Sequence, residues 1–312
     1  METNSPLTLI AAVRHFEDSR VCIDFVKRLH WPDGKVTCPR CESTKVKEMQ
    51  TRQLFKCYAC KRQFSVKVGT IFEQSPLPLS KWLIAMWLIA NAKNGISSCE
   101  IGRAIGVGQK TAWFLMHRIR TAMANKTFRK LAGVIEADES FMGGSDFNRH
   151  ANKKRGAGAK TVVFGAVERG GNVIAKVVDA ASELHLKAAV RESIERESVL
   201  YTDQSDAYNN LGREFYRDTI NHSKGEYVRG DVHTNSIESY WALFKRTIKG
   251  TYIHTAPFHL DRYLSEQAFR FDLRKSDDSG RFHTVADRVF GQRLTWKELT
   301  GTETWRNQEQ AE

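Results

Sequence analysis

Four cysteines constrain this chain more than any other feature. Cys38-Pro-Arg-Cys41 and Cys57-Tyr-Ala-Cys60 are two CxxC pairs with 15 residues between them. Each pair turns two thiolates to one side of a tight knuckle, and two knuckles complete a tetrahedron around one ion. The spacing is that of a four-thiolate structural zinc site. The residues between the pairs, Lys45 to Met49 and Gln53 to Lys56, are polar and strand-like, and Phe55, Phe64 and Val66 offer small apolar support. A zinc ribbon over 36–73 is predicted, with Cys38, Cys41, Cys57 and Cys60 as ligands. Cys22 and Cys99 have no such partners and read as ordinary buried thiols.

The chain has 312 residues, 41% hydrophobic and 27% charged, which suits a soluble globular protein of one large or two to three small domains. Its longest apolar run, Trp82 to Ala90, is too short to span a bilayer. The first 17 residues lack the basic start and apolar core of a secretory signal. A cytoplasmic protein with no membrane partner is expected. The formal charge of +12 favours a polyanionic partner, and nucleic acid is the commonest one in that compartment.

Punctuation by Pro and Gly divides the chain. Residues 1–35 read as an N-terminal helical segment, one helix from Leu7 to Leu29 stopped at Trp31-Pro-Asp-Gly34. After the ribbon, Gln74 to Pro78 is a linker, and Ser80 is expected to cap an apolar helix running to about Ala92. Within a helical domain over 79–127, Ser97 to Trp113 has the pattern of a helix-turn-helix. Ile101, Ala104 and Ile105 would face inward, Gly106 would make the turn and Val107 would plug it. Gln109 to Arg120 would then be a recognition helix offering Gln109, Lys110, His117 and Arg120 to DNA. An ordinary helical hairpin has the same pattern, with Trp82, Trp87 and Trp113 in the core.

Beyond Gly133 the character changes. Strand-like runs at 133–138, 161–168, 172–178 and 198–203, with a helical stretch at 183–195, point to a mixed α/β sheet in a domain over 131–275. A short strand is expected at Phe215 to Ile220, and helices at Asn235 to Lys249 and His259 to Arg274. Residues 276–312 read as a polar, partly disordered tail.

Two of the strand-like runs end in aspartate, Asp138 and Asp203. Alternation puts Asp138 on the face of Val134 and Glu136, opposite Ile135 and Ala137, and Gly143-Gly144 permits a sharp turn soon after. Glu238 follows Asp203 with 34 residues between. Three carboxylates on strand ends and a later helix can hold two Mg²⁺ ions, which suits phosphodiester chemistry. Asn235 lies three residues before Glu238 and Lys245 seven after it, on one helical stripe. A capping box offers another reading, with Asn235 as N-cap and Glu238 closing it from the third helical position.

At this point a family is visible. The CxxC pairs, Glu136-Ala-Asp-Glu-Ser140, Tyr201-Thr-Asp-Gln-Ser-Asp-Ala-Tyr208, and His233-Thr-Asn-Ser-Ile-Glu-Ser-Tyr-Trp241 with Phe244-Lys-Arg246 and Gly250-Thr-Tyr252 together resemble the DDE transposases of bacterial insertion sequences, in the ISXO2-like group that begins with a zinc ribbon. The resemblance implies a ribonuclease-H-like catalytic domain in which Asp138, Asp203 and Glu238 hold two Mg²⁺ (or Mn²⁺) ions. Some members of that group have asparagine as the third residue; here the spacing favours Glu238 over Asn235. It further implies a double-stranded DNA partner (element ends and target), a nucleoid location and a homodimer or larger assembly on DNA. Lys245, Arg246, Lys249 and the loop bearing Lys153, Lys154 and Arg155 would neutralise phosphates. A DNA-binding regulator with an inert second domain, or a nuclease without a joining step, would share the same elements.

Overall fold

The computed structural model describes residues 6–124, 129–143, 160–221, 225–226, 228–253 and 255–301. The chain divides into two compact units, one drawn from residues up to Met123 and from Lys275 onward, the other Ala124–Arg274.

The first unit opens with two helices, α1 (Leu9–His15) and α2 (Ser19–His30), where periodicity alone suggests one. The break is chemical. Asp18 leaves the helical conformation and its carboxylate accepts from Arg20 N at 2.8 Å, starting a new helix four residues after the first ends. A three-stranded antiparallel ribbon follows, β1 (Val46–Met49), β2 (Leu54–Cys57) and β3 (Gln63–Phe64). Phe55 and Phe64 are paired across it and stack at 5.5 Å. Then come α3 (Leu79–Asn91), α4 (Ser98–Ile105) and α5 (Gln109–Met123). Helix α3 begins at Pro78 rather than being capped by Ser80, while α4 has a complete Ser97–Glu100 capping box. Gly106 ends α4 with φ +63°. Gly102 and not Ala104 is buried beside Ile101 and Ile105, because a Cβ at 102 would come 2.9 Å from the Val107 carbonyl oxygen.

Residues 276–301 are not a tail. Helix α9 (Asp278–Asp287) and the short α10 (Trp296–Thr300) belong to this unit. Phe282 is fully buried and its ring lies 5.3–5.6 Å from those of Trp87, Phe16 and Phe25. Phe282, Val285, Ala286 and Val289, with Leu294 and Leu299 beyond them, are the buried apolar residues of this segment, so it looks polar in bulk while one face is core. Residues 302–312 lie outside the described residues.

The second unit is a five-stranded mixed sheet, β4 (Val134–Met142), β5 (Thr161–Glu168), β6 (Val173–Val178), β7 (Val199–Asp203) and β8 (Tyr216–Ile220), in spatial order β6-β5-β4-β7-β8. The first three strands pair antiparallel; β7 joins β4 parallel and β8 joins β7 parallel. Crossover helix α6 (Glu183–Ser193) covers one face, where Ile135, Ala137, Phe164, Ala166 and Leu200 pack with Leu186 and Val190. Helices α7 (Asn235–Thr247) and α8 (Leu260–Asp272) cover the other, where Val163, Val167 and Met142 meet Ile237, Trp241, Phe244 and Leu264. The alternation read from the sequence therefore holds: odd-numbered Ile135 and Ala137 face α6, and Glu136 and Asp138 face α7.

Candidate active site and metal centre

The cysteine knuckles are built as the spacing requires. Sγ of Cys38 lies 3.7 Å from that of Cys60, Sγ of Cys41 lies 3.6 Å from that of Cys57, and all four lie within 4.8 Å of one another. A tetrahedron with metal–sulfur bonds of about 2.3 Å has edges of about 3.8 Å, so the quartet has the dimensions of a structural zinc site. Desolvation raises the Cys38 thiol, but the Arg40 and Cys41 amides and the Cys41 and Cys60 thiols outweigh it and draw it down to about 7, while the same thiol contacts push Cys41 and Cys60 up.

The acids gather around β4. Strand β4 continues through Asp138 to Met142, so Asp138 lies mid-strand and not at a strand end, as its sequence context suggests. The parallel ladder between β4 and β7 reaches Glu136–Tyr201. Asp138 lies two residues beyond that last pair and faces α7, and the charge of Asp203 acts on it. Burial first, then the charges of Glu139 and Asp203, push the Asp138 carboxyl up to about 7. Asp203 anchors its own turn, Oδ1 accepting from Ser205 N at 3.0 Å. Glu139 is also raised, by burial and by Asp203, against the Tyr208 hydroxyl that donates to its Oε2 at 2.7 Å.

Helix α7 lies directly over Asp138. Gly165 is the β5 partner of Asp138, and a Cβ built there would sit 2.5 Å from Trp241 Cζ2 and 2.9 Å from Ile237 Cδ1. The missing side chain lets the indole rest on the sheet, where Nε1 donates to Asp138 Oδ2 at 3.1 Å. The capping box of the alternative reading is absent. Thr234 is the N-cap, Asn235 the first helical residue, and Glu238 the fourth. Glu238 Oε1 accepts from Thr234 Oγ1 at 2.8 Å, while the first-turn amides of Ser236 and Ile237 donate to Glu136. Asn235, Glu238, Lys245, Arg246 and Lys249 are exposed. Among the described residues, the cysteine quartet is the only group of three or more His, Cys, Asp or Glu ligand atoms drawn within 4.8 Å.

The proposed recognition helix needs correction. Gln109 and Lys110 are exposed, Gln109 Nε2 donating to Ser98 Oγ and the Lys110 ammonium lying 4.8 Å from the centre of the Trp296 ring. His117 and Arg120 are 0% and 1% exposed. Helices α3, α9 and α10 pack on α5 and enclose that part of it, so neither side chain can reach a groove. Lys153, Lys154 and Arg155 lie outside the described residues. Sequence reasoning passed over Glu139, Tyr208, Gly165, Arg169 and the partners of Glu136. One signal was present: an acid inside an apolar strand requires buried donors.

Residues 17–63 match the transposase zinc-ribbon domain, and residues 130–272 match the ISXO2-like transposase domain. A protein in the transposable element ISH50 of Halobacterium salinarum is 28% identical over 252 residues, covering 75% of this chain and 84% of that protein. With both domains in this order on one polypeptide, the chain is similar to the ISXO2-like transposases that carry a zinc ribbon.

Proposed function

We propose that this transposase binds the terminal inverted repeats of an insertion sequence, cleaves the DNA there and joins the 3′ ends to target DNA by two-metal phosphoryl transfer. The observation that carries the reading is the desolvated Asp138, two residues past the last β4–β7 pair, raised by the charge of Asp203 and lying beneath the helix that bears a third acid. Oxygen-only donors crowded into partly desolvated space fit a hard divalent cation, whose charge would offset their mutual repulsion. Asp138 and Asp203 would hold Mg²⁺ or Mn²⁺ with Glu238, or with Asn235 on the same helix. The chemistry supplied on binding is activation of a water, and later of a DNA 3′-hydroxyl, together with stabilisation of the leaving oxygen.

The rest of the chain would orient DNA. Lys245, Arg246 and Lys249 lie exposed at the C-terminal end of α7 and would take phosphates. Three antiparallel strands followed by two parallel ones, with helices on both faces, support a ribonuclease-H-like reading of the sheet. The α4–α5 pair with its Gly106 turn supports a helix-turn-helix role confined to Gln109 and Lys110, the exposed start of α5. The basic ribbon would add DNA contacts.

Labelled terminal repeats incubated with a target plasmid and Mg²⁺ test the reading. Joined product is expected from the wild type, and loss of joining with retained end binding from Asp138→Asn, Asp203→Asn and Glu238→Gln. Nicks without joining would make the protein a nuclease, and binding with neither would make it a regulator. Full activity of Glu238→Gln beside an inactive Asn235→Ala would move the third position to Asn235.

A further inference from the structure

Glu136 is fully buried two residues before Asp138, and we infer that it is the positioning residue that fixes the register of α7 over the acidic site. The inference rests on the reading of Asp138 as a site residue. Glu136 Oε2 accepts from Ser236 N at 2.6 Å and Ile237 N at 3.2 Å. Oε1 accepts from Ser236 Oγ at 3.0 Å and Arg169 Nε at 2.8 Å; His233 Nδ1 lies 3.2 Å away without a hydrogen bond. A carboxylate offers about four lone-pair sites, and this one has a donor for each. Arg169 is itself held, its Nη2 donating to the His233 carbonyl at 3.2 Å and its guanidinium lying 4.8 Å from the centre of the Tyr201 ring.

The helix is thus capped from the strand that carries Asp138. Its own N-cap residue, Thr234, makes no side-chain capping bond. A helix capped by a neighbour in sequence can pivot together with its cap, but one capped by β4 cannot move without breaking bonds to a buried charge. A second tie, Trp241 to Asp138, lies four residues along the helix from Ile237 and two along the strand from Glu136. Four helical residues rise about 6 Å, and two strand residues span about 6.6 Å. The two ties therefore match in spacing. A slip of one residue would turn the helix by about 100° and break both. The exposed Glu238 and Asn235 are consequently presented at an orientation set by β4.

The test uses the full chain with three variants, Glu136→Gln, Arg169→Gln and Trp241→Phe, and Asp138→Asn as control. Glu136→Gln keeps the shape but turns an amide N–H₂ toward existing donors; Arg169→Gln loosens the same carboxylate from its more exposed side. Hydrogen exchange of the Ser236 and Ile237 amides should rise at least about tenfold in Glu136→Gln, and less in Arg169→Gln. DNA nicking should fall about 10–100-fold in kcat with the Mg²⁺ half-saturation raised, while end binding and zinc content are unchanged. The effect should be non-additive with Trp241→Phe. The inference is overturned if first-turn exchange and Mg²⁺ dependence match wild type, or if activity falls only with the folded fraction. An active Asp138→Asn would remove the catalytic reading instead, and the exchange result would still decide whether Glu136 clamps the helix.

Discussion

Gly165→Ala is the sharpest probe of the packing that positions the site. The added methyl would lie 2.5 Å from Trp241 Cζ2 and 2.9 Å from its Cη2 and from Ile237 Cδ1. Carbon atoms settle at about 3.5–4.0 Å, so the indole must retreat by about 1 Å or more. Neither obstacle is a flexible chain end: Trp241 and Ile237 are 3% and 0% exposed and wedged between the sheet and α8. Overpacking of this kind costs about 1–3 kcal/mol, or roughly 2–10 °C in Tm for a unit of this size. Activity should suffer more than stability. The Trp241–Asp138 hydrogen bond, at 3.1 Å, would be stretched beyond use, and a misplacement of about 1 Å can cost about 100-fold in rate. Denaturant melts and the nicking assay measure the two effects. Trp241→Phe removes the atoms that collide, so Gly165→Ala should cost less in that background than alone. Wild-type stability and nicking in Gly165→Ala would refute this account of why position 165 has no side chain.

Other outcomes follow from the same geometry. The purified chain should carry one zinc per polypeptide, and Cys41→Ser should lose it together with the ribbon's protection from proteolysis, as metal analysis and limited digestion would show. The raised carboxyl of Asp138 is favoured in its neutral form by folding, so without divalent metal this contribution to stability is present below about pH 4 and lost as pH rises through about 7. It amounts to at most about 4 kcal/mol. Melts across that range should flatten in Asp138→Asn, and Mg²⁺ should restore stability to the wild type above pH 7. His117→Ala and Arg120→Ala should each destabilise the first unit by about 1–3 kcal/mol, whereas Lys110→Ala should weaken DNA binding with Tm unchanged, as paired melts and binding titrations would reveal. Lys249→Ala should lower the slope of log K against log salt by about one unit, uniformly across DNA sequences.

The sheet was legible because alternation is a local property. Ile135 and Ala137 against Glu136 and Asp138 declare the two faces of β4 within five residues, and the apolar run of β5 declares central burial. The zinc site was legible because its ligands come in pairs whose spacing is set by one turn. The cap of α7 was not. Capping rules look within three or four residues, and on those terms Asn235 and Glu238 form a plausible box. The donors at that helix start are instead satisfied by Glu136, 100 residues earlier for Ser236 and 101 for Ile237. No local rule reaches that far. The clearest clue was an unexplained acid in the middle of an apolar strand.

Two further departures have one cause. Residues 276–312 look like a polar tail, and α5 looks like a helix with a free basic face. Each reading presupposes the other. Helices α9 and α10 have a thin apolar stripe because they need to bury only one side, and α5 is among what they bury it against. Trp296 shows the exchange most directly. Its ring meets Phe114 at 5.4 Å and Trp113 at 5.9 Å edge to face, and the Lys110 ammonium lies 4.8 Å from its centre. A segment that supplies such a ring is no tail, and a helix that receives it has lost most of its outer surface. His117 and Arg120 are basic residues in a closed interior, and the exposed basic part of α5 contracts to its first turn. Specific recognition of a base sequence through one helix needs three or four side chains at a groove, and two exposed ones fall short of that. Under the proposed function, end recognition would therefore draw on the basic surfaces of the ribbon and of α7 as well.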